Sequence, residues 1–179
     1  MYLAEGAIIS GDASHNCYPD KGIIGLKVEE ECTKEIWNLI REKFKKLKFN
    51  IVDCTPWNKQ FSSVGESLYY RVKKANETSS VLHLCIDFRE NKSRGVECWI
   101  NEFSERSEKF ALNICKHMQE IGYYNRGVKN GPLYITNYTK MPCILIRCCS
   151  LNSIEDMKRY NAENIAEAIV KGITNLGTK

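Results

Sequence analysis

The sequence predicts an α/β fold: a single domain built on a largely parallel, twisted sheet of about six strands flanked by helices. Short apolar runs that suit buried strands alternate along the chain with amphipathic segments of roughly 10 to 18 residues that suit helices. The 179 residues are enough for one sizeable core, and no repeat, low-complexity segment or linker divides them. We therefore expect one domain that extends over residues 1–179.

The first half of the chain contains the strand around which the others are arranged. The run from Ser80 to Phe88 is almost wholly apolar and lacks Gly and Pro, which is typical of a buried central strand. Its one polar ring, His83, must find partners for both nitrogens, either as a core histidine or as a ligand. The elements expected before it are strands at 7–10 and 49–53 and helices at about 30–47 and 67–76.

The second half of the chain continues this alternation. Residues 95–100 alternate apolar and polar side chains, which predicts a strand with one face in water. Gly122 is placed to end a helix expected at 104–121. Further strands are expected at 132–136 and 143–148, a short helix after Ser153, and a final helix from Asn164 with Ile165, Ile169, Ile173 and Leu176 on one face.

The composition is that of an ordinary globular protein and excludes several classes of function. The net charge of +4 comes from 26 basic and 22 acidic residues that are interspersed, which argues against nucleic acid but suits an anionic polymer. No apolar run approaches the ~20 residues needed to span a membrane. Nine cysteines without a regular spacing predict reduced thiols rather than a disulfide scaffold. The first residues lack a signal-peptide pattern, so we expect synthesis in the cytoplasm.

Four residues are expected to meet at one edge of the sheet. In open α/β sheets, functional groups collect beyond the carboxyl ends of the strands. Asp12 follows the first strand, His83 lies on the central strand, and Arg147 closes the strand at 143–148. Glu29, at the entrance to the first helix, can reach the same edge. The sequence therefore predicts a cluster of Asp12, Glu29, His83 and Arg147.

Several stretches of the chain carry a specific pattern. They are Arg71 with Ala75-Asn76 before the His83 strand, Gly95-Val96-Glu97-Cys98-Trp99, Leu133-Tyr134-Ile135 with Met141-Pro142-Cys143-Ile144-Leu145-Ile146, and Ile165-Ala166-Glu167-Ala168-Ile169 in the closing helix. In these stretches, and over nearly its whole length, the chain resembles the catalytic domain of the zinc-dependent N-acetylmuramoyl-L-alanine amidases called the amidase-3 family, in particular those of clostridial phage endolysins. The resemblance implies this fold, a zinc cofactor and the peptidoglycan of the cell wall as substrate. It also suggests phage-type lysis as a route by which the protein reaches the wall.

The resemblance implies a zinc site and a carboxylate base. In the family, a His after the first strand, a Glu at the start of the first helix and a His on a central strand hold zinc, while a Glu after the Met-Pro strand is the general base. Glu29 and His83 match their positions, but Asp12 stands at the first His position and Arg147 at the base position. Asp12 can ligate zinc, and His15, three residues on, could take its place. A guanidinium cannot act as a base, because it stays protonated and has no acceptor.

Three functions follow from these positions and stay open at this point. In the first, the chain is a pseudo-amidase in which Arg147 replaces the metal and pairs with Asp12 and Glu29, while His83 is a core residue. In the second, it is an active peptidoglycan amidase whose zinc is held by Asp12, Glu29 and His83. In the third, it is a structural or regulatory protein partner on the same scaffold. Peptidoglycan or a muropeptide is the expected ligand of the first two, and membrane insertion is expected of none.

Overall fold

Six strands form the sheet at the centre of the molecule: β1 (Ile8–Ala13), β2 (Asn50–Asp53), β3 (Leu82–Arg89), β4 (Val96–Ile100), β5 (Asn125–Asn130) and β6 (Cys143–Ser150). The computed structural model describes residues 3–101 and 104–175. The strand order is β2-β1-β3-β6-β4-β5, and every neighbouring pair is parallel except β4 and β6, which are antiparallel. The predicted α/β class and largely parallel six-stranded sheet are confirmed.

Helices cover both faces of this sheet. They are α1 (Glu29–Lys46), α2 (Val64–Asn76), α3 (Glu105–Glu120), α4 (Tyr134–Tyr138), α5 (Ile154–Lys158) and α6 (Ala162–Thr174). The larger core joins α1, α3 and α6 to one face of the sheet, and a smaller cluster joins α2 and α4 to the other. Within the described residues, no helix has the length and apolar character needed to cross a membrane. Leu176, predicted on the α6 face, lies outside the described residues.

Strand β3 is the central strand that the sequence predicts. All eight of its residues are buried, and it pairs with β1 on one side and with β6 on the other. Its apolar residues at even positions, such as Leu84 and Ile86, pack into the larger core. Its odd positions, His83, Cys85 and Asp87, therefore point towards the α2 and α4 face, because side chains alternate along a strand.

One predicted element is wrong, one observed strand has no predicted counterpart, and the remaining boundaries agree within a few residues. The strand expected at 132–136 is replaced by the short helix α4, and the sixth strand is β5 instead. The residues of β5 are Asn-Arg-Gly-Val-Lys-Asn, of which one is clearly apolar, so hydrophobic alternation could not identify them. β5 pairs with β4 alone, at the edge of the sheet, where a strand needs little apolar surface. Gly122 does follow α3 in the left-handed conformation, with φ of +97°.

Candidate functional site

A cavity of about 730 Å³ opens beyond the carboxyl ends of β1, β3 and β6. Charged side chains of both signs line it, as expected for a polar binding site at this edge of an α/β sheet. The lining residues are His15, Ile23, Glu29, Asp87, Phe88, Arg89, Glu90, Asn91, Lys92, Arg147 and Asn152. Glu29 and Arg147 are thus at the cavity, as the sequence predicts, whereas Asp12 and His83 are not among its lining residues.

The wall of this cavity contains three side chains whose ligand atoms are close enough to hold one metal ion: His15, Glu29 and Asp87. His15 Nε2 lies 3.5 Å from Glu29 Oε2 and 3.7 Å from Asp87 Oδ1. Tetrahedral zinc with bonds of about 2.1 Å keeps its ligand atoms roughly 3.4 Å apart, so these spacings fit one histidine and two carboxylates around such an ion. In the part of the chain that the structure describes, no other group of three or more His, Cys, Asp or Glu side chains comes together in this way.

A network that reaches α2 holds His15 in position. His15 has a left-handed backbone with φ of 61°, and its Nδ1 lies 2.8 Å from Asp20 Oδ1. The other carboxylate oxygen of Asp20 accepts a hydrogen bond from Ser67, and Arg71 Nη2 donates to the carbonyl oxygen of His15. A carboxylate on one ring nitrogen fixes the orientation of the ring and leaves the other nitrogen for a ligand. Asp20 therefore turns His15 Nε2 towards Glu29 and Asp87.

The pKa values in this group show strong electrostatic coupling. Burial disfavours a charged His15 ring, but hydrogen bonding to Asp20 and the nearby Glu29 carboxylate together raise its pKa to about 10. Burial likewise works against a charged Glu29, yet His15 and the backbone N–H groups of Ile23 and Phe88 hold its pKa below the usual value. Burial and repulsion from Glu29 raise the pKa of Asp87 to about 6. Without a metal, an imidazolium ion therefore neutralises these carboxylates.

Arg147 lies between two carboxylates on neighbouring strands. Its Nε donates to Asp87 Oδ2 at 3.2 Å and its Nη1 to Glu97 Oε1 at 3.3 Å. The register places Arg147 opposite both residues, Asp87 on β3 and Glu97 on β4, so the three side chains form one row across the sheet. The predicted pairing of Arg147 with Asp12 and Glu29 is therefore wrong, because its cross-strand neighbours supply the acceptors.

Glu97 is the other carboxylate of this row, and ion pairs and a hydrogen bond occupy its oxygens. Arg89 and Arg147 both form ion pairs with it, Arg126 Nε lies 3.5 Å away, and Trp99 Nε1 donates to it at 2.9 Å. Although burial acts in the opposite direction, these donors hold the pKa of Glu97 below its usual value. Glu97 is thus a neutralised structural carboxylate and a poor proton acceptor.

Asp12 and His83 belong to a different, fully buried network. His83 Nε2 lies 3.0 Å from Asp12 Oδ2, and His83 Nδ1 lies 2.9 Å from Ser10 Oγ. Arg71 Nη1 donates to Asp12 Oδ1 at 2.6 Å. Ser10, His83 and Asp12 have the composition of a nucleophilic triad, but none is accessible to solvent, so no substrate can reach them. His83 is therefore a hydrogen-bonded core histidine, one of the two interpretations that the sequence leaves open.

The structure thus brings Asp12 and His83 into contact, but it places neither of them in the cavity with Glu29 and Arg147, because both lie too far from the carboxyl ends of their strands. His83 and Asp87 point to the same face of β3, but four residues of extended chain separate them by about 13 Å. Asp87 is the one near the carboxyl end, where the cavity lies. Likewise, β1 continues through Asp12, and His15 is the first side chain after it that reaches the cavity. The alternation of side chains along β3 could have identified Asp87, since it is four residues from His83 and therefore lies on the same face of the strand.

The chain matches the model of an amidase family and is similar in sequence to a clostridial protein. The family model of N-acetylmuramoyl-L-alanine amidases, Amidase_3, matches residues 9–175. An uncharacterized protein of Clostridium perfringens (strain 13 / Type A) is 30% identical over 169 residues, an alignment that covers 87% of this chain and 49% of that protein. This chain therefore spans about half the length of that relative.

Solved structures share the whole fold. The catalytic domain of the CD27L endolysin targeting Clostridia Difficile superimposes with a TM-score of 0.87 at 22% identity, covering 94% of this chain and 97% of that chain. The CwlD amidase from Clostridioides difficile, solved in complex with the GerS lipoprotein, superimposes with a TM-score of 0.82 at 18% identity, covering 95% of this chain and 98% of that one. At these identities, the matches establish the common fold.

Proposed function

Since this chain belongs to the N-acetylmuramoyl-L-alanine amidase family Amidase_3, we propose that it is a pseudo-amidase, which binds peptidoglycan fragments in the cavity without hydrolysing them. The observation that carries this proposal is the placement of Arg147 on the cavity wall, paired with Asp87 and Glu97. The resemblance to the family implies that Arg147 stands at the position of the general base. A guanidinium has no acceptor and stays charged at any relevant pH, so it cannot take a proton from water.

The family is generally zinc-dependent, and the residues of the cavity fit this ion. His15, Glu29 and Asp87 would hold it, and bound zinc would polarise a carbonyl group and lower the pKa of a water molecule. Asp20 keeps the His15 ring in the orientation that such binding needs. Asp87 shares its charge with Arg147, which weakens it as a ligand. We therefore propose that zinc can bind here but that proton transfer is missing.

An active zinc amidase is the second candidate, and the His15–Glu29–Asp87 group favours it. Three N and O ligands with one open position are the usual arrangement of a catalytic zinc. This candidate needs a base other than Arg147. Glu97 is the adjacent carboxylate, but its arginine partners and lowered pKa make it a poor one. A protein partner is a further proposal, supported by the CwlD amidase of the same fold, which was solved in complex with GerS.

Purified peptidoglycan tests the proposed function directly. The wild-type protein should sediment with the insoluble polymer and release no new L-alanine amine ends, with or without added zinc. An active endolysin amidase in the same assay confirms that the substrate can be cleaved. Stoichiometric release of amine ends by the wild type would establish the second candidate. Failure to sediment, with no cleavage, would remove both and leave a role outside the wall.

A further inference from the structure

The charge at the reacting position of the cavity is reversed relative to the family. A carboxylate is expected there, and Arg147 supplies a guanidinium instead, a change of two charge units. Nε and Nη1 of Arg147 donate to Asp87 and Glu97, whereas 31% of the side chain stays exposed at the cavity. A guanidinium has five N–H donors in a planar fork, so donors remain for a ligand.

The surroundings of Arg147 hold its guanidinium in a fixed orientation. Asp87 and Glu97 hold it from both sides, and its guanidinium lies 5.3 Å from the centre of the Trp99 ring. Lys92 lines the same cavity and adds positive charge to this wall, whereas Arg89, which also lines it, is paired with Glu97. A fixed guanidinium binds a carboxylate through paired, charge-assisted hydrogen bonds and binds a neutral amide oxygen more weakly.

The chemistry of the amidase reaction decides which muramic acid derivative carries this carboxylate. Hydrolysis adds water across the amide: the C–N bond breaks, the hydroxyl joins the lactyl carbon, and the hydrogen joins the alanine nitrogen. The intact substrate is a neutral amide at this carbon, whereas the cleaved sugar has a lactyl carboxylate that is ionised at neutral pH. The resemblance implies that Arg147 stands at the position of the family's general base, which is the group that faces this carbon.

We propose that the cavity selects glycan strands from which an amidase has already removed the stem peptides, and that Arg147 recognises their free lactyl carboxylate. This inference rests on the proposed function, because it uses the same cavity as a binding site without hydrolysis. The domain would thus recognise the product of its active relatives. Arg147 is the residue that determines this specificity.

Three disaccharides that differ only at the lactyl group test this inference by calorimetry. They are GlcNAc–MurNAc with the free acid, its neutral lactyl amide, and its L-alanyl-D-isoglutamine derivative, which has an intact amide and a carboxylate on the peptide. The wild type should bind the free acid at least about tenfold more tightly than the other two. Arg147→Gln should abolish this preference.

Arg41→Gln is the matched control, because Arg41 is exposed to a similar extent, 29%, and also pairs with one aspartate, Asp53, but does not line the cavity. It should keep the preference for the free acid. Equal binding of acid and amide by the wild type would overturn the inference, and this comparison decides even if Arg147→Gln does not fold. Tight binding of the peptide derivative alone would overturn it while leaving the proposed function intact. Binding of none of the three, or cleavage of the derivative, would overturn both.

Discussion

Replacing Arg71 with methionine should destabilise the fold by about 3 to 5 kcal/mol, because Arg71 neutralises a fully buried carboxylate. Its Nη1 donates to Asp12 Oδ1 at 2.6 Å and to the carbonyl oxygen of Ala13 at 2.7 Å, and its Nη2 donates to the carbonyl of His15. The side chains of Arg71 and Asp12 are 1% and 0% exposed. Methionine would fill much of the volume but leave the carboxylate without its cation and two carbonyls without a donor. For a domain of this size the loss corresponds to roughly 10 °C in Tm.

The loss of stability in Arg71→Met should depend on pH, and the ionisation of Asp12 determines whether it grows or shrinks as pH rises. Burial acts to raise the pKa of Asp12, but the charge of Arg71 and the hydrogen bond with His83 hold it below the usual value of 3.8. In the wild type, the stability from this pairing is present above the unfolded pKa and is lost as pH falls through the lower folded pKa. In Arg71→Met the carboxylate is buried without its cation, so its folded pKa rises and its ionisation costs stability as pH increases. The stability difference between the two proteins should therefore widen from about pH 4 to about pH 7.

Urea unfolding followed by circular dichroism measures this difference, with the midpoint compared at equal m-values. Arg41→Met is the control, since Arg41 is half-buried and pairs with Asp53 near the surface, and it should cost no more than about 1 kcal/mol. Adding Asp12→Asn to Arg71→Met should recover part of the loss, because the uncompensated charge is then gone. Equal costs for the two arginines, or a loss that does not change with pH, would refute the reasoning.

Three further predictions concern the residues of the cavity. Asp20→Asn should weaken zinc binding about 10- to 100-fold, measured in competition with a chromogenic chelator, because Asp20 orients the His15 ring. Asp12→Asn should leave zinc binding unchanged. The opposite pattern would indicate that Asp12 is a zinc ligand. In metal-free buffer, the stability that the charged His15 supplies is present below the ordinary histidine pKa of 6.5 and is lost as pH rises towards about 10. The wild type should therefore lose stability over this interval more steeply than His15→Gln, and parallel curves would contradict this. Asp87→His combined with Arg147→Glu should gain zinc-dependent release of amine ends from peptidoglycan, while Asp12→His with Arg147→Glu should not, and activity of the latter pair alone would contradict the site.

The sequence predicts the fold well where burial controls the pattern. Strand β3 is buried over its whole length, so its apolar run stands out, and the amphipathic helices α1 and α3 have clear apolar stripes. Strand β5 and helix α4 cannot be predicted from apolar patterns in this way. Each has six or fewer residues, which contain too little periodicity to distinguish a strand from a helix turn.

The site is harder to predict because its residues are fixed by position along a strand. Glu29 and Arg147 are found from the sequence, since the start of a helix and a charged residue within an apolar strand are local features. The choice between His83 and Asp87 is different. Every second residue of β3 shares one face, and each such step moves a side chain about 6.6 Å towards the edge. A histidine is the more obvious candidate for a metal ligand. Its distance from the carboxyl edge of the sheet, however, depends on how the strands pair, and the sequence alone does not give that pairing.

His15 and His83 show how the hydrogen-bond partners of an imidazole distinguish a structural histidine from a metal ligand. His83 lies opposite Ser10 in the β1–β3 register, and its nitrogens have partners at 2.9 and 3.0 Å, which are ordinary hydrogen-bond lengths. Because a carboxylate only accepts, Asp12 accepts a hydrogen bond from the N–H of one nitrogen, and the Ser10 hydroxyl is the partner of the other. His15 has such a partner at Nδ1, in Asp20, whereas its Nε2 faces carboxylate oxygens at 3.5 and 3.7 Å, too long for good hydrogen bonds. That spacing fits a shared cation, so we expect His15, rather than His83, to be the histidine that would ligate a metal.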